Sequence, residues 1–332
     1  MSSATARAFP NIALIKYWGK RDETLMLPAA GSFSMTLDDL ATVTSVELTA
    51  TEKDTFTLNG SPASDGATAR TIRFLDLVRE LADDDRRAVV TSHNEGPTGA
   101  GMASSASGFA ALALAASRAY GLDLDQRALS RLARRGSGSA CRSVVPGYAL
   151  WHAGTDDASS FAERVGAPDL RLVTVTVDSR EKAVPSRDAM RLTRDTSPFY
   201  SGWVTSTEDS LRRMLAACTD GDIATIGALT ESHALRMHAA IASSEPPVRY
   251  LGPASVAVFD AAQQLRAEGL HAYATADAGP NVCILTTPED AASVADTVDP
   301  LGSVRVVGPG PGAELLRDDA APTAADVKEA LA

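Results

Sequence analysis

Residues 96–117, GPTGAGMASSASGFAALALAAS, change character halfway, from glycine and threonine through three serines into an alanine- and leucine-rich run. Glycines free the backbone to turn successive N–H groups inward, the serines add hydroxyl donors, and a following helix would aim its positive end at the same place. That is the physics of a phosphate cradle. A glycine turn with a serine cap ahead of a core helix reads equally well from these residues alone. The stretch lacks GxxxxGK[ST], and its GxG at Gly99 and Gly101 is not followed by the third glycine of a dinucleotide fingerprint.

Working outward, helices are predicted over 103–120, with Gly121 to stop it, over 125–135, and over the amphipathic segment 67–81. Strands are predicted over 41–51, 87–91 and the alternating RLVTVTV of 171–177. Further helices follow near 208–217, 223–240 and 255–268, then strands at 271–276 and 282–286 separated by the sharp turn DAGPN. The order is mixed rather than strictly alternating, which points to an α+β chain in two lobes. The expected division is an N-terminal domain over 1–175, a C-terminal domain over 176–316 and a polar tail over 317–332.

The chain has 332 residues, 42 acidic against 31 basic, for a net charge of −11. Without a broad positive field, nucleic acid and anionic membranes are not expected partners. Cys141, Cys218 and Cys283 are far apart and form no CxxC pair, so neither a disulfide framework nor a zinc site is indicated. The N-terminus is interrupted by Arg7, Pro10, Lys16 and Lys20, and the longest apolar run, 109–116, is too short to cross a bilayer. The expectation is a soluble, cytoplasmic protein with a small-molecule role.

Three further stretches could carry chemistry. RRGSGSACRS, residues 134–143, is a second Gly/Ser loop beside Arg142, whose guanidinium can grip a carboxylate or phosphate; a solvated linker is the other reading. NIALIKYWGKRDE, residues 11–23, would bring Lys16, Trp18 and Lys20 to one face if it were a strand, or else is an aromatic core residue flanked by surface lysines. AYATADAGPNVCIL, residues 272–285, sets Asp277 at a strand end, where it either faces a site or bonds its own turn. His233 and His238 are five apart, off the spacing of a zinc pair, and no serine lies in GxSxG.

Taken together and in order, NIALIKYWGKRD, ASSASG, GSGSACRS and DAGPN resemble the mevalonate diphosphate decarboxylases of the GHMP kinase superfamily. MRLTRDTS (190–197) and ALRMHA (234–239) followed by Pro246 and Pro247 extend the resemblance over nearly the whole chain. It implies a two-lobed GHMP kinase fold, with an N-terminal lobe related to ribosomal protein S5, an α+β C-terminal lobe, a cleft between them and commonly a homodimer. It also implies ATP and Mg2+, phosphorylation of the 3-hydroxyl of 5-diphosphomevalonate, and loss of phosphate and CO2 to give isopentenyl diphosphate. The resemblance assigns Asp277, Lys16, Lys182, Arg70 and Arg142 to catalysis, with Arg142 on the substrate carboxylate. Tyr17, Lys20, Ser137, Gly138, Ser139 and Arg187 would contact the diphosphate, and Ser186 would lie against the substrate. Gly99, Gly101, Ser104, Ser105 and Ser107 would hold ATP, and no metal ligand is assigned.

The family usually has a polar N-S-S after the Leu27–Pro28 pair, where this chain has Ala29, Ala30 and Gly31 ahead of Ser32. Other readings are a decarboxylase of 5-phosphomevalonate or a related 3-hydroxy acid, a kinase that stops at the 3-phosphate, and an idle GHMP-fold sensor. Asp277 and Lys182 weigh against the second, and the intact Asp, Lys and Ser set weighs against the third.

Overall fold

The computed structural model describes residues 2–95, 104–180 and 182–316. The chain opens with β1 (Ser3–Ala8), β2 (Asn11–Ile15), β3 (Lys20–Asp22), β4 (Leu27–Pro28), β5 (Ser32–Thr36), β6 (Thr42–Thr49), β7 (Thr55–Leu58) and β8 (Ser61–Pro62). It continues through α1 (Asp65–Ala82), β9 (Arg87–Asn94), α2 (Ser104–Ala119), α3 (Gln126–Gly136), the short α4 (Ala140–Ser143), β10 (Tyr148–Trp151) and β11 (Ala162–Val165). After β12 (Arg171–Thr176) come α5 (Ser186–Thr196), α6 (Tyr200–Asp220), α7 (Ile223–Ala242) and α8 (Pro253–Ala267). The last elements are β13 (Tyr273–Thr275), β14 (Val282–Thr286), α9 (Ala291–Val298), β15 (Ser303–Val307) and β16 (Glu314–Leu315).

The first lobe holds a six-stranded sheet in the order β16-β1-β6-β9-β7-β8, with β7 parallel to β9. Along β6 the inward residues Val46 and Leu48 alternate with outward ones, so one face of the sheet is apolar. Helices α1 and α2 cover that face. Helix α1 starts at the Ser64 cap, whose hydroxyl accepts from the Ala67 N–H, and presents Phe74, Leu75 and Val78 inward. Helix α2 buries Ala106, Ala110, Ala113 and Ala116, small side chains that let it lie close on β1 and β6. A second sheet, β11-β10-β5-β2, leaves β2 at its edge, and the second lobe is built on β13-β14-β12-β15.

The lobes are not independent bodies, because one apolar cluster joins Leu14, Phe33 and Met35 of the first to Leu172, Met214, Ile226 and Leu285 of the second. The chain end also returns, as β16 pairs with β1. Strand β12 lies inside the second lobe's sheet, so a cut after residue 175 would pass through it. The helices expected over 67–81, 125–135, 223–240 and 255–268 form within two residues of those bounds, whereas the one expected over 208–217 extends to Tyr200–Asp220. The structure adds α5, a short charged amphipathic helix, and α9, of eight residues. Among the described residues, no helix is long and apolar enough to cross a membrane.

Candidate active site

A cavity of about 550 Å³ opens where the first Gly/Ser helix, the second Gly/Ser loop, the end of β2, the start of α5 and the DAGPN turn meet. Its wall carries five cationic side chains, Lys20, Arg70, Arg142, Lys182 and Arg187, against two carboxylates, Asp188 and Asp277. On a protein of net charge −11 that is a local reversal of sign, and it fits a multiply anionic ligand.

The centre of the site is an ion pair made by the ends of two strands. Lys16 follows β2, is 1 % exposed, and donates from Nζ to Asp277 Oδ1 at 2.6 Å. The turn after β13 is closed by its own backbone, the Gly279 N–H donating to the Asp277 carbonyl at 2.8 Å, so the carboxylate does not bond its own turn. Asp277 is thus held by a buried cation with its side chain still 28 % exposed at the cavity.

The expected alternation of Lys16, Trp18 and Lys20 along one strand does not occur. Strand β2 ends at Ile15, Lys16 turns into the protein, Trp18 packs into a core with Trp203 and Tyr250, and Lys20 reaches the cavity from β3. Gly19 makes the redirection possible: its φ is +95°, and a Cβ there would collide with the Tyr200 hydroxyl. Both lysines are buried, not surface residues flanking an aromatic. Burial, followed by the nearby Arg187, lowers the Lys20 pKa to about 8.

The second Gly/Ser loop is folded, not a solvated linker. Ser137 caps the C-terminus of α3, Ser139 precedes α4, and Arg142 on α4 is 3 % exposed. Its guanidinium donates to Asn11 Oδ1 at 3.0 Å and Ser32 Oγ at 2.6 Å, and it lies over the Trp151 ring. Burial lowers its pKa. No carboxylate of the described residues lies within ion-pair distance of it, which leaves a buried cation facing the cavity. Gly138 meets Tyr17 so closely that a Cβ would fall 2.6 Å from the Tyr17 hydroxyl. That hydroxyl is buried without a hydrogen-bond partner among the described residues, and burial raises its pKa.

Ser105, at the second position of α2, is exposed and its hydroxyl lies 3.3 Å from that of Ser137, so the two Gly/Ser segments converge. Ser107 turns the other way: it is fully buried, shares a hydrogen bond with Thr42 at 2.7 Å and does not line the cavity. Gly99 and Gly101 lie outside the described residues, as does the side chain of Ser104. Arg70 reaches in from α1, resting on Phe109 and donating to the Gly136 carbonyl at 3.3 Å; burial and then Arg187 lower its pKa to about 10. Lys182 Nζ donates to Ser186 Oγ at 2.7 Å and to the Ala278 carbonyl at 3.0 Å, tying the start of α5 to the DAGPN turn.

Several lining residues escaped the sequence reading, notably Asn11, Met26, Asp188 and Met237. Asn11 opens the quoted NIALIKYWGK stretch, but nothing in its sequence shows that it accepts from Arg142 while donating to the Ser139 carbonyl and Ser143 Oγ. Ala29, Ala30 and Gly31 are not part of the cavity wall. A Cβ on Gly31 would lie 2.9 Å from both Leu211 and the Trp151 carbonyl, so the small residues there serve packing.

A family model described as the diphosphomevalonate decarboxylase-like N-terminal domain matches residues 8–162, and one for the mevalonate 5-diphosphate decarboxylase C-terminal domain matches 172–304. Diphosphomevalonate decarboxylase mvd1 of Aspergillus fumigatus is 36% identical, over 95% of this chain and 84% of that one. The structure is similar to that of mevalonate diphosphate decarboxylase from Staphylococcus aureus, with a TM-score of 0.92 at 39% identity over 95% of this chain and 98% of the other. It is also similar to MDDEF in complex with MVAPP, AMPPCP and magnesium, with a TM-score of 0.91 at 42% identity over 95% and 99% of the two chains. Both halves of the chain thus match one group of proteins, and the chain belongs to the diphosphomevalonate decarboxylase family.

Proposed function

We propose that this protein uses ATP to convert 5-diphosphomevalonate to isopentenyl diphosphate, ADP, phosphate and CO2. The observation that carries the reading is the Lys16–Asp277 pair at the centre of a predominantly cationic cavity. A substrate with a carboxylate at one end and a diphosphate at the other needs separated cationic groups, and an alcohol to be phosphorylated needs a carboxylate between them.

Asp277 orients the 3-hydroxyl and accepts its proton as the oxygen attacks the γ-phosphorus and the bond to ADP breaks. Lys16 holds that carboxylate in place. Arg142, with Asn11 and Ser32 fixing its plane, pairs with the substrate carboxylate. Lys20, Arg187, Ser137, Ser139 and the Gly138 backbone take the diphosphate, with the unpartnered Tyr17 hydroxyl beside them. Ser186 lies against the substrate. When the C3–O bond breaks, phosphate leaves with its electrons, and the C1–C2 pair becomes the alkene as CO2 departs. Arg70 and Lys182 face the charge that moves onto the phosphates.

The nucleotide phosphates fit the start of α2, where Ser105 is exposed at the positive end of a 16-residue helix. No group of three metal-binding side chains occurs among the described residues. Magnesium takes few protein oxygens when it binds phosphates, and Ser105 and Asp277, which both line the cavity, are the residues that would hold it. Bound, it neutralises charge on the transferring phosphoryl group. A homodimer in the cytoplasm is part of the same proposal, on the strength of the family resemblance; sedimentation would test the dimer.

The deciding experiment compares mevalonate, its 5-phosphate and its 5-diphosphate with ATP, reading ADP and CO2 separately. Equal release of both products from the diphosphate is expected. ADP without CO2, or a preference for the monophosphate, would overturn the assignment.

A further inference from the structure

Helix α7 passes behind the ion pair and carries two histidines that the chemistry above does not use. His233 is fully buried, with Nδ1 3.0 Å from the backbone N of Lys16 and Nε2 3.1 Å from Thr207 Oγ1. The Lys16 N–H can only donate, so Nδ1 is the acceptor and the proton sits on Nε2. The Thr207 hydroxyl donates to the Trp203 carbonyl at 2.9 Å, so it accepts from His233. Donors and acceptors therefore run in one consistent chain, from the Lys16 backbone through His233 and Thr207 to helix α6.

The need for this bond follows from the sheet. Strand β2 is an edge strand, paired with β5 on one side only, and its ladder stops at Ile15. The next N–H, that of Lys16, points inward where a strand neighbour would be. His233 takes the place of that neighbour. On the other half of the pair, His238 Nε2 lies 3.3 Å from the carbonyl of Ala276, the residue before Asp277, and there the imidazole must be the donor. Both rings are packed, His233 against Trp203 and His238 against Tyr250. One helix thus grips the Lys16 N–H on one lobe and, on the other, the Ala276 carbonyl of the peptide that leads into Asp277.

We propose that His233 and His238 are positioning residues that set the Lys16 and Asp277 backbones relative to each other. The proposal rests on the reading that phosphoryl transfer takes place at Asp277. Neither imidazole touches substrate, so loss of its bond should lower kcat and leave binding nearly unchanged; a misplacement on the order of 1 Å at a reacting pair costs about a hundredfold.

The test exploits the different ring nitrogens. At 233 the needed atom is an acceptor attached to Cγ, which asparagine keeps and glutamine moves. At 238 it is a donor one atom further out, which glutamine keeps and asparagine does not. His233→Leu and His238→Leu should each lower kcat at least about tenfold, with KM for ATP and for 5-diphosphomevalonate within about twofold. His233→Asn should recover most of the loss and His233→Gln should not, with the reverse order at 238. If a leucine variant does not fold, the asparagine–glutamine order at that position still decides. Leucine variants with kcat within twofold of the parent, or the same order of rescue at both positions, would overturn the proposal. Asp277→Asn is assayed alongside: if it keeps full activity the site reading fails, whereas an inactive Asp277→Asn beside a normal His233→Leu rejects only the positioning role.

Discussion

At the scale of single residues, the site works by placing a few charges where water is scarce. If Asp277 acts as proposed, Asp277→Ala should reduce turnover by at least about a thousandfold, within the range seen for loss of a general base and its positioning. Nucleotide affinity, measured with a fluorescent ATP analogue, should stay within a few-fold of the parent. Lys20 gives the site a pH signature. With its pKa lowered to about 8, it is charged below that pH and neutral above it, so attraction for a diphosphate is full on the acid side and fades as pH rises. A falling alkaline limb near 8 is expected in kcat/KM for the diphosphate substrate. Lys20→Arg, which stays charged, should remove that limb.

At the scale of elements, α7 is held in its place by groups that must stay neutral. Burial lowers the pKa of His233 to about 3 and that of His238 to about 4, with Lys16 adding to both. In the unfolded chain both would titrate near the ordinary value of 6.5. Between those values the unfolded state binds more protons, so stability is full above about pH 6.5 and is lost as pH falls toward the folded values. Each histidine should contribute a slope of about 1 kcal/mol per pH unit in that window. Denaturant unfolding of the parent at pH 7 and pH 5 should show the loss, and His238→Gln should reduce it. His238 of ALRMHA and His233 just before it face two different backbone segments, the Lys16 N–H and the Ala276 carbonyl.

At the scale of the whole molecule, the shared apolar cluster makes the two lobes one cooperative unit. Leu14 and Phe33 on one side and Leu172, Ile226 and Leu285 on the other bury one another, so neither lobe has a complete core alone. Unfolding followed by tryptophan fluorescence and by calorimetry should give a single transition, and two separate ones would contradict this packing. Leu172→Ala, at a fully buried position, should lower stability by about 2–5 kcal/mol without splitting the transition. The Glu23 carboxylate, which pairs with Arg191 and Arg194 of α5 near the surface, is a weaker brace between the lobes. Glu23→Gln should change stability by no more than about 1 kcal/mol.

Local chemistry was enough to read the helix after the first Gly/Ser segment, the RLVTVTV strand, the DAGPN turn and the cationic character of the ligand site, because glycine, β-branching and charge act over a few residues. It was also enough to join the four motifs into a family. Whether Lys16 lay on a strand face or turned inward, and whether Asp277 bonded its own turn or a distant cation, depended on partners 261 residues apart. The inward turn of Ser107, the role of Asn11 and the grip of α7 on the ion pair were likewise settled by tertiary packing. Hydrogen-bond direction and burial at those positions are properties of neighbours brought together from both lobes, and no spacing along the chain encodes them.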